Sequence, residues 1–112
     1  MKRPPTLEQA LGKGGSKYGN KRTVIDGITF DSKKEANYYL QLKARQQAGE
    51  VVMFLRQVPI GLPGGVKYVI DFQVFLADGS VEWVDVKGHR TDTYKLKKRQ
   101  VEALYPIEII EA

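Results

Sequence analysis

The stretch KYVIDFQVFLADGSVEWVDVK, residues 67–87, decides the fold of this chain. It contains two runs rich in β-branched and aromatic residues, 67–76 and 81–87, on either side of a short connection that contains Gly79. Such a pattern predicts two antiparallel strands joined by a tight turn. The hairpin is expected to belong to the central sheet of an α/β domain.

The length of the turn decides which side chains share a face of this hairpin. A two-residue turn would place Asp71 and Asp85 on opposite faces. A three-residue turn over residues 77–79, with Gly79 in the left-handed conformation of a bulge, sets Asp71 opposite Asp85 instead. Lys87 then lies on the same face, two residues beyond Asp85.

The three-residue turn also pairs Gln73 with Trp83, and the expected role of Trp83 is core packing. Two carboxylates directly opposite one another repel, so this register is favourable only if a divalent cation lies between Asp71 and Asp85. The sequence therefore links one particular turn to a metal site.

The remaining segments predict an α/β fold with a mixed sheet. Ser32 has the position of a helix N-cap, Thr91 or Asp92 caps a second helix, and Pro59 is expected to end a strand. The predicted elements are a hairpin over 23–30, a helix over 32–48, strands over 51–58, 67–76 and 81–87, a helix over 92–104 and a strand over 107–110. Because the last strand follows a crossover helix, it should run parallel to the strand before it.

Composition limits the domain count and the chemistry. The 112 residues fit one domain, expected over 22–112 and preceded by a flexible basic segment, 1–21, with one helical turn over 7–11. The absence of cysteine excludes thiolate zinc sites, and the single His89, expected to be a simple loop residue, cannot build a histidine-rich one. Any metal is therefore expected to be a hard cation on oxygen ligands. With no apolar run near the roughly 18 residues of a membrane span and no signal sequence, a cytoplasmic location is expected.

The net charge of +5 is concentrated at the N-terminus. Residues 1–22 carry six basic side chains and one acidic one, whereas residues 23–112 carry twelve of each sign. A basic tail on a neutral body indicates either a polyanionic partner such as a nucleic acid or a tail that only aids solubility.

Each predicted helix places one charged residue on its apolar stripe. Glu35 shares a face with Tyr39 and Leu42, where a carboxylate needs a partner or a metal; the alternative is a capping box with Ser32. Lys97 lies on the stripe of the second helix. It either points toward an acidic pocket or a phosphate, or extends along the interface into solvent.

The outward face of the second helix carries three basic side chains. They form either a stripe for phosphate contacts or an ordinary solvated face. These residues are Lys95, Lys98 and Arg99.

Together, the acidic and basic residues suit phosphodiester hydrolysis. Mg²⁺ on Asp71 and Asp85 would stabilise charge and activate a bound water. Glu35 would hold the metal directly or through water, and Lys87 would orient the attacking water or stabilise the developing charge.

Ile70-Asp71, a gap of 13 residues, and Asp85-Val86-Lys87 resemble the PD-(D/E)XK nuclease motif. Ile70 stands where the motif has proline, and Asp85 is a common variant of its second acid. The chain also resembles small phage nuclease-like proteins of this superfamily, related to Holliday-junction resolvases.

The resemblance implies a restriction-endonuclease-like αβββαβ core and a Mg²⁺- or Mn²⁺-dependent DNA endonuclease. It further implies a homodimer acting on branched or junction DNA, in the bacterial host cytoplasm if phage-encoded. The implied catalytic residues are Glu35, Asp71, Asp85, Lys87 and Lys97. The implied metal ligands are Asp71, Asp85, Glu35 and the backbone carbonyl of Val86. DNA contacts are expected from Lys95, Lys98, Arg99, Arg90, Lys21 and Arg22.

Gln57 is either an accessory residue near the site, as in some superfamily members, or an ordinary polar residue of an edge strand. Two rival functions remain for the whole chain. One is a non-catalytic nucleic-acid-binding module on a nuclease-like fold. The other is an RNA-binding or ribosome-associated protein, which would need exposed aromatic residues on a sheet.

Overall fold

The computed structural model describes residues 22–86 and 90–112. The predicted flexible segment 1–21 and its helical turn lie outside these residues, as do Lys21, Lys87 and His89. The elements, in chain order, are β1 (Thr23–Ile25), β2 (Ile28–Phe30), α1 (Lys33–Gln47), β3 (Val51–Leu62), a 3₁₀ turn (Pro63–Gly65), β4 (Val66–Leu76), β5 (Val81–Asp85), α2 (Asp92–Leu104) and β6 (Ile109–Glu111). Within the described residues, no helix is long and apolar enough to cross a membrane.

The predicted first hairpin is confirmed. β1 and β2 pair antiparallel across a turn in which Asp26 and Gly27 both have left-handed backbones, with φ of 53° and 76°. Asp-Gly is one of the residue pairs that adopt this conformation readily, and the resulting turn matches the twist of the two strands. Ile25 and Phe30 of the hairpin are fully buried, so the hairpin is part of the core.

Both predicted helices are confirmed together with their caps. The Ser32 hydroxyl accepts a hydrogen bond from the Glu35 N–H at 3.1 Å, and the Thr91 hydroxyl accepts one from the Tyr94 N–H at 3.1 Å. Each bond satisfies a backbone donor that has no partner within the first turn. After α1, Gly49 adopts a left-handed φ of 81°, which ends that helix.

The four-stranded sheet has the order β3-β4-β5-β6 and is mixed. Neighbouring strands are antiparallel except for β5 and β6, which are parallel as predicted. The last strand occupies Ile109–Glu111 rather than 107–110.

The prediction that β3 ends at Pro59 is wrong. The strand continues through Pro59, which pairs with Val69, as far as Leu62. β3 is at the edge of the sheet, and a proline is tolerated there because its missing N–H need not bond a second strand. The connection from β3 to β4 is accordingly only the turn Pro63–Gly65.

The central hairpin uses the three-residue turn. Leu76 N–H donates to the Ser80 carbonyl at 2.9 Å, and Gly79 has a left-handed φ of 92°. Gln73 therefore pairs with Trp83. Phe72 pairs with Val84, and continuing the same register sets Asp71 opposite Asp85, one position beyond the last paired residues.

Two apolar clusters meet along β4. The first unites the hairpin, α1 and the turn-proximal half of the sheet, and includes Phe72. The second unites α2, β6 and the far end of the β3–β4 pair, and includes Ile70. Trp83 packs against the second cluster, as its predicted core role requires. In sequence, Asp71 stands between Ile70 of the second cluster and Phe72 of the first.

Candidate functional site

Asp71 and Asp85 form a buried acidic pair. Asp71 is 7% exposed and Asp85 is fully buried. The Asp85 carboxylate accepts a hydrogen bond from the Asp71 N–H at 3.1 Å, and the Asp71 carboxylate accepts one from the Val86 N–H at 2.8 Å. Burial of a carboxylate is costly unless such donors compensate, so the backbone of both strands holds the two side chains in place.

Tyr68 is a member of this site that the sequence did not reveal. It is buried, and its hydroxyl donates to Oδ2 of Asp85. Tyr68 stands at an ordinary core position of the alternating strand, beside Ile70 in the second apolar cluster. The sequence predicts only that a buried tyrosine hydroxyl needs a hydrogen-bond partner. Which residue is that partner depends on the fold.

Glu35 joins the acidic pair through Gln57. The Gln57 amide donates to Oε1 of Glu35 at 3.0 Å and to Oδ1 of Asp71 at 3.4 Å. Glu35 is 6% exposed, as its place on the apolar stripe predicted, while its backbone N–H also binds Ser32. Glu35 therefore has both a buried carboxylate on the apolar stripe and a backbone N–H that is capped by Ser32. The amide bridge favours Gln57 as an accessory residue rather than an ordinary edge-strand residue.

The backbone of Gln57 is strained. Its φ of 52° places a non-glycine residue in the left-handed region, within an otherwise extended strand. This conformation costs roughly 1–2 kcal/mol and persists only where the surroundings impose it. In this conformation, the Gln57 amide donates to the carboxylates of Asp71 and Glu35, which are 14 and 22 residues away along the chain.

Arg56 places a positive charge beside Glu35, which sequence reasoning also missed. Its Nη2 lies 3.8 Å from Oε1 of Glu35, and its guanidinium lies 4.5 Å from the centre of the Phe30 ring. Among the described residues, its buried Nε has no hydrogen-bond partner. The guanidinium thus offsets part of the negative charge that gathers in the acidic site.

A second feature is a basic pocket of about 440 Å³ between α2 and β6. It unites four of the six predicted DNA-binding residues with a tyrosine and a carboxylate. The lining residues are Arg90, Tyr94, Lys95, Lys98, Arg99 and Glu111. Arg22 is exposed and does not line this pocket.

Glu111 organises one wall of the basic pocket. Its carboxylate lies 3.0 Å from Nε of Arg90 and accepts a hydrogen bond from the Tyr94 hydroxyl at 3.1 Å. Burial raises the pKa of Tyr94 well above its ordinary value, and the negative charges of Asp85 and Glu111 raise it further. The Tyr94 hydroxyl therefore stays protonated and acts as a donor.

Residues 15–109 match a family model whose description is a protein of unknown function, DUF1064. The chain belongs to the DUF1064 family. The match covers every strand and helix described above except the end of β6. No curated protein and no solved structure matches the chain. The family description gives no activity.

Two tyrosines connect the acidic pair of this DUF1064 domain to its basic pocket. The rings of Tyr68 and Tyr94 stack with centroids 6.2 Å apart and an interplanar angle of 30°. Tyr68 binds Asp85, and Tyr94 lines the pocket and binds Glu111. The acidic and basic features are therefore neighbours in one site.

Lys97 is half-buried on the same side of α2 as Tyr94 and Val101, which lie three residues before it and four after it. That position agrees with its predicted place on the apolar stripe. Its contact with an acid or a phosphate stays a prediction.

The chemistry of the donor set fits a hard divalent cation. Within residues 22–86 and 90–112, no three acidic, histidine or cysteine side chains form a group that could hold a metal. Mg²⁺ needs fewer, because it binds through one or two carboxylates and keeps several waters. Each carboxylate oxygen has two lone pairs, so an oxygen of Asp71 or Asp85 that accepts one hydrogen bond can still bind a cation.

Proposed function

We propose that this DUF1064 protein is a metal-dependent DNA endonuclease with a restriction-endonuclease-like core of the PD-(D/E)XK type. The observation that carries the proposal is the buried acidic pair on neighbouring strands, with Asp85 starting the sequence Asp85-Val86-Lys87. Two carboxylates side by side repel one another, and a divalent cation between them would remove that repulsion. The order of helix, three strands, helix and strand after the hairpin supports the core assignment.

In this proposal, Asp71, Asp85 and the Val86 carbonyl hold Mg²⁺ or Mn²⁺, and Glu35 binds the ion directly or through a water molecule. The bound ion supplies charge stabilisation and a more acidic water. Gln57 fixes the Glu35 and Asp71 carboxylates relative to one another. Lys87 and Lys97 stabilise the negative charge that develops on the phosphate.

The basic pocket supplies the DNA contacts. Arg90 and Arg99 suit phosphate oxygens because a guanidinium presents parallel donors, and lysines add point charges. Cleavage of both strands of a branched or junction DNA needs two sites, so the proposal includes a homodimer. Lys21 and Arg22 stay predicted DNA contacts from the basic N-terminal part of the sequence.

A second candidate is a non-catalytic nucleic-acid-binding module. One observation favours it: both oxygens of Asp85 already accept hydrogen bonds, from Tyr68 and from the backbone of Asp71. This network satisfies the buried carboxylate without a cation. The basic pocket would serve such a module equally well.

The test is a cleavage assay on the full chain with duplex, single-stranded and four-way-junction DNA. Each substrate is incubated with Mg²⁺, Mn²⁺ or EDTA. We expect cleavage of at least one substrate with a metal, and its loss in Asp71→Asn and Asp85→Asn. Glu108→Gln is the matched control, because it removes one exposed carboxylate elsewhere and should cleave normally.

Metal binding is measured separately by thermal unfolding with Mn²⁺. A cation at tenfold its Kd stabilises the folded state by about 1.4 kcal/mol, and Asp85→Asn should abolish that gain. If the wild type cuts no substrate with either metal, the nuclease proposal is wrong. DNA binding without cleavage would then favour the non-catalytic module.

A further inference from the structure

The basic pocket has a charge that points to one kind of ligand. Of its four cations, Arg90 is paired with Glu111 at 3.0 Å and Lys98 with Glu102 at 3.5 Å. The other two, Lys95 and Arg99, are exposed on α2. Two further positive charges at one cavity match a dianion better than the single charge of an internal phosphodiester. A phosphomonoester carries about −1.5 to −2 at neutral pH.

The size of the pocket admits such a ligand. Its residues line a space of about 440 Å³ that is open to solvent, and this volume is within the usual range of small-ligand sites of roughly 300–1,000 Å³. A terminal phosphate has three free oxygens, which converging cations can surround.

The pocket also has an apolar wall. The Tyr94 hydroxyl is engaged by Glu111, and the ring is half-buried beside Tyr68. An aromatic face beside a phosphate site suits the sugar or base of the nucleotide that carries the phosphate. The pocket therefore fits the last nucleotide of a strand, not only its phosphate.

From these features, we infer that the pocket between α2 and β6 binds the phosphorylated end of a DNA strand. The inference rests on the proposed function for its substrate class. Because Tyr94 stacks on Tyr68, which binds Asp85, an end held in the pocket lies beside the acidic pair. The protein would thus act close to strand ends, and the pocket would select phosphorylated ends over hydroxyl ends.

The experiment measures binding by fluorescence anisotropy in EDTA, so that no cleavage occurs. The full chain is titrated with one single-stranded oligonucleotide in three forms: with a 5′-phosphate, with a 3′-phosphate, and with hydroxyls at both ends. We expect one phosphorylated form to bind about tenfold more tightly than the hydroxyl form. The preferred end identifies the polarity of the bound strand.

Two double variants with the same change of charge test the location. Lys95→Gln with Arg99→Gln should remove the preference for the phosphorylated end. Lys33→Gln with Lys43→Gln, which removes two exposed cations of α1, should keep the preference while weakening all binding through lost charge.

Equal binding of all three oligonucleotides by the wild type overturns the inference. So does a preference that survives in the α2 variant or disappears in both variants. The outcome is separate from the nuclease proposal, because a phosphate preference in EDTA can stand while the cleavage assay fails. Cleavage without a phosphate preference would leave the nuclease and remove the terminal-phosphate pocket.

Discussion

Tyr68→Phe is expected to destabilise the protein through the loss of one hydroxyl. The Tyr68 hydroxyl donates to Oδ2 of the fully buried Asp85, and water cannot readily replace it. Phenylalanine keeps the ring and its stacking on Tyr94 at 6.2 Å. Hydrogen bonds to charged groups contribute roughly 1.5–3 kcal/mol, so we expect a loss of about 2 kcal/mol in the free energy of unfolding.

The assay is urea unfolding in EDTA, followed by circular dichroism. With an m-value of about 1.5 kcal/mol per molar, a loss of about 2 kcal/mol lowers the midpoint by about 1.3 M. Tyr105→Phe is the matched control. Its hydroxyl donates to the Gly61 carbonyl from an exposed position, where water can substitute, so the midpoint should fall by less than about 0.5 M.

The reasoning is refuted if the two variants have midpoints within about 0.3 M of each other. Such a result would mean that the Tyr68 hydroxyl contributes no more than an exposed neutral hydrogen bond. A changed m-value in Tyr68→Phe would indicate instead an altered denatured or native state, and the comparison would then be made with unfolding rates.

Two further predictions concern Gln57 in strand β3 and Tyr39 in the first apolar cluster. Gln57→Gly should be more stable than Gln57→Ala by about 1 kcal/mol in urea unfolding, because only glycine accepts a φ of 52° without strain; the reverse order would show that residue 57 is not left-handed in solution. Burial and the hydrogen bond to Asp26 raise the pKa of Tyr39 from 10.0 to about 12. The neutral form is therefore favoured by folding, and its stabilisation is complete below pH 10.0 and lost as the pH rises through about 12. The urea midpoint should fall less steeply over that range in Tyr39→Phe than in the wild type, and identical slopes would contradict the assigned pKa.

The sequence by itself determined the local elements, and it reduced the register of the central hairpin to the choice between a two-residue and a three-residue turn. Asp26-Gly27, the Ser32 cap and the Gly79 bulge each act within a few residues, because backbone conformation and capping depend on neighbours in the chain. Once the turn over residues 77–79 has three residues, the alternation of strand side chains brings Asp71 to Asp85. The sequence therefore offered the acidic pair as one of two alternatives, and the turn seen in the structure selected it.

Only the tertiary structure decided what surrounds those carboxylates. Tyr68 reaches Asp85 across 17 residues of sequence, and Gln57 reaches Glu35 across 22. Such contacts depend on how strands and helices pack, and tyrosine or glutamine at those positions carries no signal of its partner. The extension of β3 through Pro59 was also decided by the tertiary structure. A strand can continue through a proline only where no neighbouring strand needs the missing N–H. The sequence thus supplied the acids, and the packing of the whole domain supplied the donors that hold them and the basic pocket beside them.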